Sequence, residues 1–218
     1  MKFTLDKASL EAFNQYGWVE IDGLFTPDQI SSINNEIDRL IVEEKLEKKE
    51  EIMAFGRNLF QKIEGFNKLL RIKSLAEIVY ELSSVKPLRL AYDQLYQSAM
   101  SSFDQARVSQ FLRGTSSLSE LSSVNELILG IMIALKPSAE QLPFSGEAGR
   151  VVFFRPDQEI PLEVLKSRLA DRYLLLAFSN HRALYLHNDK DPMNHYLKSK
   201  GYVYGDKLKE SDHPLILR

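Results

Sequence analysis

Tyr16-Gly17-Trp18-Val19-Glu20-Ile21-Asp22-Gly23-Leu24-Phe25-Thr26-Pro27-Asp28 packs three changes of structure into one short stretch. Upstream, residues 6–16 place Leu10 and Phe13 on one helical face, and Gly17 ends that helix. Trp18 to Ile21 then forms a short apolar stretch, closed by Asp22-Gly23. Thr26-Pro27-Asp28 opens a second helix, with a capping hydroxyl, a proline whose missing N–H costs nothing there, and an acid facing the dipole. Ile30, Ile33, Ile37, Leu40 and Ile41 recur at helical spacing, so this helix lays one apolar stripe on a core. Its Glu- and Lys-dense tail, residues 43–51, reads as a solvated helix end.

Ser74-Leu75-Ala76-Glu77 has the form of a capping box opening a further helix that runs to about residue 82. Pro87 marks a change of period. Residues 88–97, 127–136, 150–155, 173–178 and 183–187 read as strands bounded by Gly, Pro, Ser and Asn. One helix interrupts them over 161–170, with Leu162, Leu165 and Leu169 on its apolar side. Helices first and strands after predict an α+β fold, with an antiparallel sheet sandwich or barrel and helices packed outside. The strands are too irregularly connected for a meander and suit a jelly roll. The expected organisation is a single domain over 1–218, with 1–86 a mainly helical layer and 87–218 the core.

Composition narrows the chemistry. The 218 residues include no cysteine, which removes disulfides, thiolate metal sites and cysteine nucleophiles. A formal charge of −2 gives no global field for nucleic acid or anionic lipid. Met1-Lys2-Phe3-Thr4-Leu5-Asp6-Lys7 mixes charges without an apolar core, unlike a signal peptide, and no apolar run reaches the ~18 residues of a membrane span. The expectation is a cytoplasmic protein.

Residues 10–40 resemble the opening of the phytanoyl-CoA dioxygenase family. The matching features are Phe13, Tyr16-Gly17-Trp18-Val19, Gly23-Leu24-Phe25 and Thr26-Pro27-Asp28. Residues 88–96, with Asp93-Gln94, are similar to that family's first core strand, and 131–135 to the strand ending Ala-Leu. The resemblance implies a double-stranded β-helix, a jelly roll whose mouth holds Fe(II) and 2-oxoglutarate. It implies a His-x-Asp/Glu pair and a distal His as iron ligands, the pair lying between the Asp93-Gln94 strand and the Ile131 strand.

That pair is missing. The four histidines are His181, His187, His195 and His213, so no imidazole precedes residue 181. The window reads Arg113-Gly114-Thr115-Ser116-Ser117-Leu118-Ser119-Glu120, and Ser117-Leu118-Ser119 in the ligand slot offers only hydroxyls, poor donors to Fe(II). His187-Asn188-Asp189 spells His-x-Asp, but too little chain follows it to close a barrel. Tyr185-Leu186-His187 is placed like the family's distal His. Lys198 lies where the family carries the Arg that pairs with the cosubstrate carboxylate, and it supplies charge without a bidentate fork.

Tyr92, Gln94 and Tyr96 alternate on one strand face, as pocket lining or as core with polar tips. Under the resemblance Gln110, Arg113, Ser117 and Ser119 join them, with Tyr185, His187 and Lys198, in a cavity suited to a small anionic molecule. His187, Asp189, Asp191 and His195 are either metal ligands or a polar turn. Lys198, Lys200, Tyr202, Tyr204, Lys207 and Lys209 interleave cations with aromatics, as single-strand binders do. A final edge strand carrying lysines against edge pairing explains them equally, and the balanced charge favours that reading and no nucleic acid. Three functions compete. The first is a catalytically inactive barrel without cofactor that binds a small molecule or a protein. The second is a divergent oxygenase using His187 with Glu120, Asp189 or Asp191. The third is an interaction protein working through its helical face or its C-terminal segment.

Overall fold

The computed structural model describes residues 5–46, 55–97, 116–136, 148–160, 172–191 and 193–217. Helix α1 (Lys7–Tyr16) begins where the Asp6 carboxylate accepts the Ser9 N–H, and it ends on Gly17 at φ +80°. Gly17 could not be another residue without cost, because a Cβ there would lie 2.6 Å from the Gln158 side chain as well as straining the backbone. Strand β1 (Trp18–Ile21) follows, and then α2 (Pro27–Glu43). At the start of α2, Thr26 and Gln29 cap each other reciprocally, an arrangement worth about 1 kcal/mol. Ile30, Ile33 and Ile37 of α2 are buried, as their spacing predicts.

A 3₁₀ turn (Leu59–Gln61) leads to α3 (Glu64–Leu70) and α4 (Lys73–Ser83). Ser74 does not cap α4. Ile72 occupies the capping position with no side-chain bond, and Glu77 pairs with Lys73 instead. The strands are β2 (Leu88–Gln97), β3 (Ser116–Ser117), β4 (Leu127–Lys136), β5 (Val151–Phe154), β6 (Glu159–Ile160), β7 (Arg172–Asn180) and β8 (Leu215–Leu217). Six of them form an antiparallel sheet in the order β1-β5-β4-β7-β2-β8, while β3 and β6 pair separately. The helix expected over 161–170 lies outside the described residues.

The two sheet faces carry different cores. The outer face, with Leu90, Leu95, Ile131, Ile133, Phe153 and Leu176, packs against α1, α2, α3 and α4 in one apolar cluster. The inner face, with Tyr92, Met132, Phe154, Tyr173 and Leu175, packs against Leu118, Leu121, Val124, Tyr185, Leu197 and Tyr202. Helices α1 to α4 on one face and mainly irregular chain with one short helix on the other give the α+β architecture expected from the element order.

Two C-terminal segments depart from the pattern their sequence predicts. Residues 183–187 form no strand, only the isolated bridges Val124↔Tyr185 and Leu184↔Lys207, because their carbonyls and N–H groups are shared between two different loops. The lysine-rich segment is no edge strand either. Lys198 belongs to helix α5 (Asn194–Ser199), a succession of turns follows, and the C-terminal strand at the sheet edge is the lysine-free β8. Among the described residues no helix is long and apolar enough to cross a membrane.

Candidate functional site on the inner face of the sheet

The site begins with a bulge in β2. Leu90 pairs with Phe178 and Tyr92 with Ala177, so Ala91 is the extra residue. Without it the alternation that points Leu88 and Leu90 at the helices would send Tyr92 there too. With it, Tyr92 joins the inner cluster while Leu95 joins the outer one. The parity left open by the sequence is thereby fixed: Tyr92, Gln94 and Tyr96 face inward.

Arg57 bridges to Gln94 along the outer edge of β2, which brings its side chain to the same face. The guanidinium lies over the Tyr92 ring, 3.6 Å from its centre, and is 6% exposed. Its carboxylate neighbour is Asp191, at 3.9 Å. Asp191 is itself tied down, accepting the N–H groups of Ser123 at 2.9 Å and Met193 at 2.8 Å. Asn194 continues the network through Ser123 Oγ and the Tyr185 hydroxyl. Asn58, next to Arg57, donates to the Tyr196 hydroxyl at 3.4 Å, and its Oδ1 is buried without a partner. Arg57, Asn58, Ser123 and Asn194 carry no local signal, because nothing in the neighbouring residues marks a side chain that becomes buried only through tertiary pairing.

Burial sets the protonation of this face. The Tyr92 phenol is pushed up to about 12 by burial, against the pull of Arg57 and hydrogen bonds with Ser122 and Arg57. Burial also raises Tyr96 and Tyr185. The phenols therefore stay protonated near neutral pH and act as hydrogen-bonding groups rather than bases. On the outer face Asp93 is raised to about 7 by burial, although its carboxylate caps the 3₁₀ turn through the Leu59 and Phe60 N–H groups.

The remaining predicted residues fall into separate places. Ser117 pairs with Glu159 across β3 and β6, so Glu159 stands opposite the slot. Ser117 Oγ accepts the Glu120 N–H at 3.3 Å while a Glu120 carboxylate oxygen accepts the Ser117 N–H at 3.4 Å, a reciprocal cap over a turn. Leu118 is buried in the inner cluster and Ser119 is exposed. Tyr185 is fully buried, whereas His187 is partly exposed and pairs with the exposed Asp189 at 2.8 Å. Lys198 and His195 are exposed on α5. The quartet His187, Asp189, Asp191 and His195 is thus split between surface and interior. Among the described residues no three His, Asp or Glu side chains converge as metal ligands would. Gln110 and Arg113 lie outside the described residues.

No protein-family model matches the chain, and no curated protein matches it in sequence. Solved structures do. The non-heme alpha-ketoglutarate-dependent carbocyclase SnoK from nogalamycin biosynthesis superposes with a TM-score of 0.65 at 14% identity, covering 97% of this chain and 96% of its own. The chain has the Fe(II)/2-oxoglutarate oxygenase fold. The epimerase SnoN, solved with Fe3+, alpha-ketoglutarate and nogalamycin RO, matches this oxygenase fold at a TM-score of 0.63 and 14% identity, over 97% of this chain and 100% of its own. CT296 from Chlamydia trachomatis matches at 0.51 and 17% identity, over 82% of this chain and 97% of its own. These neighbours are of the jelly-roll type, and at such identities they speak to fold alone.

Proposed function

We propose that this protein is a catalytically inactive, phytanoyl-CoA dioxygenase-like jelly roll, kept for binding a small anionic molecule or a protein partner rather than for iron chemistry. The observation that carries this reading is the slot opposite Glu159. No histidine precedes residue 181, and the hydroxyl and carboxylate of Ser117 and Glu120 cap each other's backbone. Such a donor set does not fit a facial triad, which needs two neutral imidazoles and a carboxylate with open positions beside them.

The inner face also favours binding over turnover. Its phenols stay protonated, its carboxylate is committed to two N–H groups, and Arg57 supplies a planar cation braced on Tyr92. A braced guanidinium suits a carboxylate or phosphate better than a mobile lysine does. The runner-up, a divergent oxygenase, rests on His187 being near Glu120 through Asn188, whose amide reaches the Glu120 carbonyl.

Anaerobic thermal shift of metal-stripped protein with Fe(II) or Mn(II), with and without 2-oxoglutarate, separates the two. A ligand at a hundredfold excess over its Kd adds about 2.7 kcal/mol, which is several degrees for a domain of this size. The expected result is no stabilisation that requires metal and 2-oxoglutarate together. A shift that needs both overturns the proposal.

A further inference from the structure

The outer edge of β2 is covered by two unrelated segments. Gly56 and Asn58 bond to it at Leu95 and Asp93. The C-terminal segment covers the other end, where β8 pairs with Leu88 and Arg89 and the Pro214 carbonyl accepts the Leu90 N–H. Between the two covers lies Ala91, whose carbonyl faces His213 Nδ1 at 2.6 Å. A carbonyl can only accept, so Nδ1 carries the ring proton and Nε2 presents a bare lone pair. His213 is 1% exposed, and Nε2 has no hydrogen-bond partner.

Every group around the ring bears on its charge. Arg57 and Arg89 oppose protonation, and Asp212 favours it. Arg89 also donates to the His213 carbonyl, and the Tyr202 ring meets the imidazole edge-on at 5.8 Å. A second proton would create a buried N–H with no acceptor, in the field of two guanidiniums.

We propose that His213 is a proton-sensitive pin, and that acidification frees the C-terminal segment, residues 202–217, from β2 before the rest of the fold opens. Apart from β8 and this histidine, the segment is held by backbone bonds of Gly205 and Asp206 with Tyr185 and by the burial of Tyr202 and Leu208. Tyr202 bonds Asp212 and the Lys209 N–H within it, and Gln61 reaches Ser211 and Asp212 at the surface. Its release reaches the inner face directly, because Tyr202 packs edge-on against Tyr185, whose hydroxyl bonds Asn194. The inference stands on this latch and does not depend on what the inner face binds.

Hydrogen exchange at pH 7 and pH 5, corrected for intrinsic rates, on wild type and His213→Asn tests it. The asparagine amide can still donate to Ala91 but cannot titrate. Burial pushes the imidazole down to about 4, against an ordinary value of about 6.5 when released, so opening of 202–217 should rise about 20-fold between these pH values. Strands β4 and β7 should keep their protection, and the variant should show no such rise. Equal protection of 202–217 at both pH values, or an equal rise in the variant, overturns the proposal. Should the variant not fold, wild type decides by NMR: a His213 ring that gains its proton with no added exchange in 202–217 also overturns it.

Discussion

Gly130→Ala is the perturbation whose consequence the structure fixes most closely. Gly130 sits mid-strand in β4, paired with Phe154 on one side and Ala177 on the other. The phenyl ring of Phe154 lies over it, so an added Cβ would stand 2.3, 2.4 and 2.9 Å from three ring carbons. No real contact is that short, and Phe154 must leave its place in the inner cluster, where it is 4% exposed. Overpacking of this kind costs about 1–3 kcal/mol. Alanine recovers roughly 0.5–1 kcal/mol, since glycine loses more backbone freedom on folding and weakens a strand interior. The net expectation is a loss of about 1–2 kcal/mol. Phe154→Ala alone should cost about 3–5 kcal/mol through the cavity it leaves. In that background Gly130→Ala should turn neutral or stabilising, because the ring it strikes is gone. The coupling energy in the cycle is then about 2 kcal/mol. Equilibrium urea unfolding of the four proteins measures it. A Gly130→Ala protein as stable as wild type, or additivity within about 0.5 kcal/mol, refutes the reasoning.

Asp191→Asn should be strongly destabilising, by about 3–5 kcal/mol, because it strips the compensating charge from buried Arg57. Denaturant titration checks this, and adding Arg57→Met to Asp191→Asn should recover part of the loss. Asp93 gives a pH signature. Its folded pKa, raised to about 7, lies above the unfolded value of 3.8, so the protonated carboxyl contributes stability below about pH 4 that is lost as pH rises through 7. The stability of Asp93→Asn relative to wild type should therefore climb from pH 4 to pH 8 in thermal melts, and a flat difference contradicts the assignment.

The legible parts of the fold were those governed by local rules. Gly17, Thr26 and Pro27 announce helix ends through their own side chains and backbone preferences, and α1 ends and α2 begins where these place them. Residues 88–97 and 127–136 read as strands because β-branched, leucine and aromatic runs bounded by turn formers have few other uses. Ser74 misled because a capping box needs the backbone to enter its helix at that residue, and the α4 helix enters at Ile72.

By itself, then, the sequence determined the helical layer, the antiparallel class of the core, the absence of thiol chemistry and the absence of an imidazole before residue 181. Each is a property of one segment or of residue inventory. Tertiary structure alone decided which side of β2 faces inward, since one bulged residue at Ala91 reverses the alternation and no local signal marks it. It alone brought Arg57 beside Asp191 and His213 beside Ala91, contacts between residues more than a hundred positions apart. Burial and electrostatics depend on which chain ends up next to which, and that is settled only when the sheet closes over distant segments.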